Sequence, residues 1–372
     1  MGTVLGLALA FTIPLLFLAI IHKFDFYQTG QFRYILLCFA WGGIAYFLAV
    51  LTNRTIVRFG LADWETIIRF GAPIIEEILK ALFLLYLVRR PQFTYSVDGA
   101  VYGFASGIGF AVFENYEYVT STPELALAVA LQRVFSTNLI HGSSSAIMGI
   151  TLGVFRLETS GSRWFILLSG LGLAIGQHML FNNMVSRGTY LVVAVGAGLI
   201  ATAYIYFAMR RGIRTARGWI KEKLGMLDRV TSGEASLVNR LESADEILAP
   251  IADRFGPEIA SQVEKLLFTQ ARLGIKRKTL DSFQTDQKMR LAIEAEMQEM
   301  RSQMEQIRRG IGTYVMLFVR GTYTEDVISV WDQMQARIQE RSDETGGQKG
   351  GGLWSALDNR LGQPAKPGGM EE

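Results

Sequence analysis

Long apolar runs fill the first 209 positions of the chain, and short polar stretches separate them. A helix needs about 20 mostly apolar residues to cross the hydrocarbon core of a bilayer. Runs of that length fall near residues 2–21, 34–51, 66–88, 98–119, 138–155, 164–185 and 189–209. The pattern predicts an all-α, polytopic membrane helix bundle of about seven to eight spans. Residues 124–136 are expected to form an interfacial or partial span before a break at 136–138.

Charge divides the chain into two unlike parts. Residues 1–209 carry 22 Lys, Arg, Asp and Glu, whereas residues 210–372 carry 49. In the second part, apolar residues recur between charges at helical spacing. This spacing predicts helices over 241–256, 257–273, 286–309 and 324–341. We therefore expect a transmembrane domain over 1–209, a helical cytosolic domain over 210–341 and a flexible Gly-rich tail over 342–372.

Basic residues at the span ends predict the orientation, because short cytoplasmic loops are enriched in Lys and Arg. A basic cluster from Arg210 to Lys223 directly follows the last predicted span. It predicts a multi-pass protein of the cell (inner) membrane with a cytoplasmic C-terminus, although Arg54 and Arg58 fall on the opposite side. The net charge of +3 is too small to indicate a nucleic-acid partner. The expected surroundings are the lipid bilayer and other membrane proteins.

Several ionisable and amide side chains fall inside the predicted spans, where a charged group is costly and marks a functional site by default. They are Glu76, Glu77, Lys80, Glu114, Asn115, His141, His178 and Asn182. The depth of a residue in the membrane follows from the number of residues between it and the charged cytoplasmic end of its span, at 1.5 Å per residue. Glu77, Glu114, His141 and His178 then lie about 18–24 Å from the cytoplasmic side. A depth shared by four helices predicts one site in the outer half of the membrane.

Local spacing adds two expectations about this site. Lys80 lies four residues after Glu76 and three after Glu77, so its ammonium group can reach either carboxylate. His178 and Asn182 share a helix face, so the amide can orient the imidazole or bind a substrate carbonyl. Glycines and serines are dense in the fourth to sixth spans, which predicts close approach of these helices.

Three kinds of role fit these residues. The first is a buried ion-pair network that fixes helix register, and the second is a proton or ion pathway. The third is hydrolysis, with a glutamate as general base on water and a histidine as proton donor or oxyanion stabiliser. A metal ion held by Glu77, Glu114, His141 and His178 is an alternative for hydrolysis, and zinc is compatible with such a set. The sequence contains no His-Glu-x-x-His motif that would favour the metal ion.

A non-proteolytic scaffold is a further alternative, in which the helical C-terminal domain recruits partners. A stripe of Met and Ile over residues 289–307 favours helix packing or a homo-oligomer through the C-terminal helices.

The order of the span motifs resembles the PrsW family of intramembrane proteases, which is distantly similar to CAAX prenyl endopeptidases and bacteriocin-processing membrane proteases. The motifs are EExxK at 76–80, FxxxEN at 110–115, His141 followed by small residues, and HxxxN at 178–182. The resemblance covers about residues 60–205 and implies an intramembrane endopeptidase. Such an enzyme hydrolyses a peptide bond in a membrane-anchored protein, for example an anti-sigma factor, near its extracytoplasmic side.

The resemblance also implies roles for individual residues. It makes Glu76, Glu77 and His178 essential and places Glu114 and His141 in the same site. Lys80, Asn115 and Asn182 are expected to support them. The extension over 210–372 lies outside the family pattern, so it leaves the substrate and the regulation open. The catalytic type, glutamate or metal, is open for another reason, because the same residues fit both chemistries.

Overall fold

The computed structural model describes residues 1–321 apart from 159, 187–190, 226–227, 229 and 284–285. Within these residues the regular elements are all helices, and no strand is present. The predicted all-α class is therefore confirmed. The predicted helix over 324–341 and the Gly-rich tail over 342–372 lie outside the described residues.

The part predicted to lie in the membrane is a bundle in which helices lie over the described residues of each of the seven predicted spans. Its elements are α1 (Gly2–Lys23), α2 (Phe32–Arg58), α3 (Trp64–Thr66), a π-helix (Ile67–Gly71), α4 (Ala72–Leu87), α5 (Ser96–Ser121), a 3-10 turn (Pro123–Leu125), α6 (Ala126–Phe135), α7 (Thr137–Leu157), α8 (Arg163–Ser186) and α9 (Leu191–Lys223). Among the described residues, α1, α2, α5, α8 and α9 are long and apolar enough to cross a membrane. The α4 helix has only 16 residues, but the helical path leading to it begins at residue 64.

The predicted break after residue 135 is present. Ser136 has non-helical backbone angles (φ −128°, ψ −79°) and separates α6 from α7. With ten residues, α6 is about 15 Å long, and it packs against α1.

The α5 helix occupies the centre of the bundle and packs against α2 on one side and α7 on another. Small residues permit these contacts, as the sequence predicted. A Cβ atom added at Gly99, Gly103 or Gly107 would overlap backbone atoms of Gly149, Ser145 or His141, respectively. The sum of the paired numbers is constant, so α5 and α7 run antiparallel in one fixed register. This register brings the C-terminal half of α5 beside the start of α7.

The C-terminal part forms a second group of helices. They are α10 (Ser232–Asn239), a 3-10 turn (Leu241–Ser243), α11 (Ala244–Phe255), α12 (Pro257–Asp281), α13 (Gln287–Ile311) and α14 (Thr313–Gly321). The helices predicted over 241–256, 257–273 and 286–309 are thus present. The predicted boundary at 209/210 falls inside α9.

The Met/Ile stripe of α13 is covered within this chain. Ile293, Met297 and Met304 are buried, and α13 packs against α12. Oligomerisation through the C-terminal helices stays a prediction.

The C-terminal helices pack against one end of the bundle. The Phe26 ring, in the α1–α2 connection, lies 5.8 Å from the Phe268 ring of α12. Gln92, in the α4–α5 connection, donates to Glu296 of α13 at 2.6 Å. The predicted site lies toward the other end, because Glu77 precedes the end of α4 by ten residues, about 15 Å along the helix.

Candidate active site

A cavity of about 570 Å³ lies where the C-terminal ends of α2 and α5 meet the π-helix and α8. Glu76 and Glu114 line it, together with Asn182 and the aromatic side chains of Trp64 and Phe110. The π-helix precedes α4 directly, and single π-turns occur often at functional sites. The cavity is therefore the place where ionisable side chains of the bundle meet accessible space.

Glu77 is the centre of a buried hydrogen-bond network. Its Oε1 accepts hydrogen bonds from Lys80 Nζ at 2.6 Å and from Ser144 Oγ at 2.8 Å. The same oxygen lies 2.9 Å from His178 Nδ1. Of the two carboxylates that Lys80 can reach, the structure pairs it with Glu77, and both side chains are at most 1% exposed.

The second histidine is held between two charged groups. His141 Nε2 lies 2.8 Å from Glu114 Oε2, and His141 Nδ1 lies 3.2 Å from Lys80 Nζ. Because the ammonium group can only donate, Nδ1 accepts from it and Nε2 donates to the carboxylate. Arg133 completes this group, since it donates to Glu114 Oε2 at 2.5 Å and to Asn115 Oδ1 at 2.8 Å.

Glu76 differs from the other two carboxylates. Its Oε2 is buried and has no hydrogen-bond partner, and it lies 3.8 Å from His178 Nε2. Glu76, His141 and His178 each offer one ligand atom, and these atoms lie within 4.8 Å of one another. Carboxylate oxygen and imidazole nitrogen are zinc ligands, so this trio can hold a metal ion once one ring nitrogen of His141 leaves its present partner, Lys80 or Glu114.

The predicted metal set of Glu77, Glu114, His141 and His178 shares both histidines with this trio. In the structure, Glu77 and Glu114 instead each contact a ring nitrogen of one histidine. Carboxylates in that position orient the histidine ligands of metal sites. Glu76 is therefore the carboxylate that accompanies the histidines as a potential ligand.

Asn182 lies at the site, but its amide donates to the wall of the cavity and not to His178. Its Nδ2 donates to the backbone carbonyl of Ile68 at 2.9 Å, and the next residue, Asn183, donates to the carbonyl of Arg69 at 3.1 Å. Both carbonyls belong to the π-helix. The HxxxN asparagine thus holds the wall of the cavity, whereas Glu77 orients the histidine.

Two site residues were not singled out by the sequence. Arg133 indicated only a helix break, yet it pairs with Glu114. Ser144 counted as one of several small residues, yet it donates to Glu77. A charged residue in a largely apolar segment was the available signal for Arg133, but a serine in a serine-rich run gives no such signal.

Comparison with known proteins agrees with the resemblance. Residues 30–209 match the family model described as PrsW family intramembrane metalloprotease. The chain is 27% identical over 145 residues to Protease PrsW of Clostridioides difficile (strain 630), covering 37% of this chain and 56% of that protein. It is 24% identical over 200 residues to Protease PrsW of Geobacillus kaustophilus (strain HTA426), covering 53% of this chain and 85% of that protein.

The match thus spans little more than half the length of the first of these relatives. No solved structure matches the chain. The matched region contains all the site residues described above. Over residues 30–209, just under half of its length, this chain is therefore similar to the PrsW family.

Proposed function

We propose that the protein is an intramembrane endopeptidase that hydrolyses a peptide bond in a membrane-anchored protein, with Glu76, His141 and His178 at its catalytic centre. The observation that carries the proposal is the meeting of these three groups, from three helices, beside a cavity of about 570 Å³. The family match over residues 30–209 supports the same class of reaction.

The residues fit a bound metal ion such as zinc. Glu76 Oε2 is buried without a partner, and Glu77 holds His178 by Nδ1, which leaves Nε2 for a ligand. Three carboxylates here face two cations, Lys80 and Arg133. With all of these ionised and neutral imidazoles, the cluster has an excess negative charge that favours a cation. When bound, the metal polarises the scissile carbonyl and makes water more acidic.

The chain's own carboxylates orient the two histidines and hold the proton that water releases. Glu77 accepts a hydrogen bond from His178 Nδ1 and so fixes the tautomer and orientation of the His178 ring. Lys80 and Ser144 hold Glu77 in turn. Glu114 fixes the orientation of His141. The Glu114 side chain is 18% exposed, whereas the Glu76 side chain is 10% exposed. Because Glu114 lines the cavity, we assign it to hold the proton that leaves the attacking water.

Hydrolysis without a metal uses the same side chains differently. Glu76 then acts as general base on water, since its Oε2 is free of donors. His178 or His141 protonates the leaving amine. Sensitivity of cleavage to a chelator distinguishes the two chemistries.

The position of the cavity supports a cut near the outer face of the membrane. The cavity lies at the C-terminal ends of α2 and α5, away from the end that carries the C-terminal helices. The basic cluster from Arg210 to Lys223 favours a cytoplasmic location for those helices. A membrane-anchored substrate, such as an anti-sigma factor, is then cleaved on its extracytoplasmic side.

The test uses the purified full-length chain in liposomes with a single-span reporter protein. We expect Glu76→Gln and His178→Ala each to lower the cleavage rate by at least about 100-fold. Glu124→Gln is the matched control, because Glu124 is exposed and outside the cavity. Metal content is measured by mass spectrometry, and cleavage is measured with and without a chelator.

Three outcomes contradict parts of the proposal. Cleavage by a Glu76→Gln/Glu77→Gln variant rules out the glutamate roles. Undiminished cleavage by a metal-free preparation rules out the metal. Proton flux driven by a pH gradient, without reporter cleavage, favours an ion pathway instead.

A further inference from the structure

Helices α1 and α9 change from apolar to basic at the same end of the bundle. The α1 helix ends at Lys23, and α9 becomes basic from Arg210 onward. With 33 residues, α9 is about 50 Å long, which exceeds the roughly 30 Å of a hydrocarbon core. Lys23 and Arg210 line one groove, so both helices leave the apolar region at the same level.

The groove between these helices has a volume of about 650 Å³, within the range of roughly 300–1,000 Å³ typical of ligand sites. Lys23, Arg210 and Arg214 line it and are exposed. In the described part of the chain, none of the three has an acidic partner. The acidic residue of the groove, Glu242, is paired with Arg217. Three positive charges are therefore available in one groove.

Aromatic side chains form the wall between these cations and the apolar helices. The Phe24 and Tyr206 rings lie 5.1 Å apart at 67°, and the Arg210 guanidinium lies 5.2 Å from the Tyr206 ring centre. Phe207 also lines the groove and is 66% exposed. Aromatic residues at this level are typical of the membrane–water interface.

We propose that this groove binds the headgroup of an anionic phospholipid, with the acyl chains along the apolar surfaces of α1 and α9. The three free cations complement a phosphodiester of negative net charge. Basic pockets between membrane helices are known to bind such headgroups. The exposed Phe207 favours a lipid over a free anion, because a free phosphate gains nothing from an apolar wall.

The groove also links the membrane helices to the C-terminal helices. Glu242 belongs to the 3-10 turn that precedes α11, and its partner Arg217 lies on α9. A lipid in the groove thus sits beside the contact between the two parts. Bound lipid is expected to stabilise this contact.

The test is a titration of the delipidated full-length protein in dodecyl maltoside with NBD-labelled phosphatidylglycerol, followed by anisotropy. The test variant is Lys23→Gln/Arg210→Gln/Arg214→Gln. Each cation near an anionic lipid contributes roughly a fivefold change in affinity. We therefore expect the triple variant to bind roughly 100-fold more weakly and Arg214→Gln alone roughly fivefold more weakly.

The matched control is Arg89→Gln/Arg211→Gln/Lys221→Gln. It removes the same number of exposed cations outside the groove, and we expect its affinity to be unchanged. An equal loss in this control would show nonspecific charge attraction and overturn the proposal. Equal binding of NBD-phosphatidylcholine, or competition by millimolar inorganic phosphate, would overturn it as well. If the triple variant fails to fold, the roughly fivefold weaker binding expected of Arg214→Gln alone tests the proposal.

Discussion

The buried pair of Glu77 and Lys80 allows a quantitative test of how the site is held together. Lys80 Nζ lies 2.6 Å from Glu77 Oε1, and neither side chain is more than 1% exposed. Glu77→Gln keeps the shape of the side chain but removes its negative charge. The ammonium group is then left buried without an ionised partner, which destabilises a protein by about 3–5 kcal/mol.

A second variant separates the charge from the shape. In Glu77→Gln/Lys80→Met the unpaired charge is removed, and replacing a buried pair by uncharged groups is often neutral or stabilising. We therefore expect the double variant to recover most of the lost stability. It is not expected to recover cleavage, because His178 Nδ1 has still lost its carboxylate acceptor.

Stability is measured on the purified chain in detergent from tryptophan fluorescence during denaturant unfolding, and activity from reporter cleavage. Glu294→Gln serves as the control. Its pair with Arg290 is 3.6 Å long and about half exposed, so its loss is expected to change stability by less than about 1 kcal/mol. An unchanged midpoint for Glu77→Gln would refute the buried ion pair. A double variant as unstable as the single one would refute the charge as the cause.

Three further predictions use the same assays. Gly107→Ala, which places a Cβ atom against the α7 backbone, should lower the unfolding midpoint and cleavage, whereas Gly172→Ala meets nothing within 4 Å and should change neither. Asn182→Ala removes the donor to the Ile68 carbonyl, so KM for the reporter should rise more than kcat falls; an equal change in both would contradict this. Burial raises the pKa of Asp25 above its ordinary 3.8. The folded state therefore holds the Asp25 proton more tightly than the unfolded state does, and this contribution to stability is lost as pH rises through the raised pKa. Asp25→Asn should therefore stabilise the protein more at pH 7 than at pH 4, and a pH-independent difference would contradict the assignment.

The membership of the site was predictable because charged residues are rare in apolar spans. Glu76, Glu77, Glu114, His141 and His178 stood out for that reason, and their similar depths predicted that they meet. The structure brings all five into one network, in which Lys80 joins the His141 and His178 groups. Depth along a helix follows from residue counting alone, so this part of the site required no tertiary information.

Spacing could not predict which of the two carboxylates, Glu76 or Glu77, pairs with Lys80. Lys80 is within reach of both along the helix, so local geometry leaves two pairings open. The choice depends on Ser144 and His178, which approach Glu77 from α7 and α8. Their approach is a property of helix packing. It leaves Glu76 Oε2 without a partner beside the cavity.

The register of α5 against α7 shows how packing decides chemistry in this site. Gly107 permits backbone contact with His141, and from that contact point Glu114 lies two turns further along α5. Its carboxylate reaches His141 Nε2 at 2.8 Å. A larger residue at position 107 would move the two helices apart and lengthen this contact. The glycines predicted close approach, but no sequence pattern states which residue of α7 lies opposite each one. The pairing follows only when both helices are packed, and with it the position of one of the two histidines.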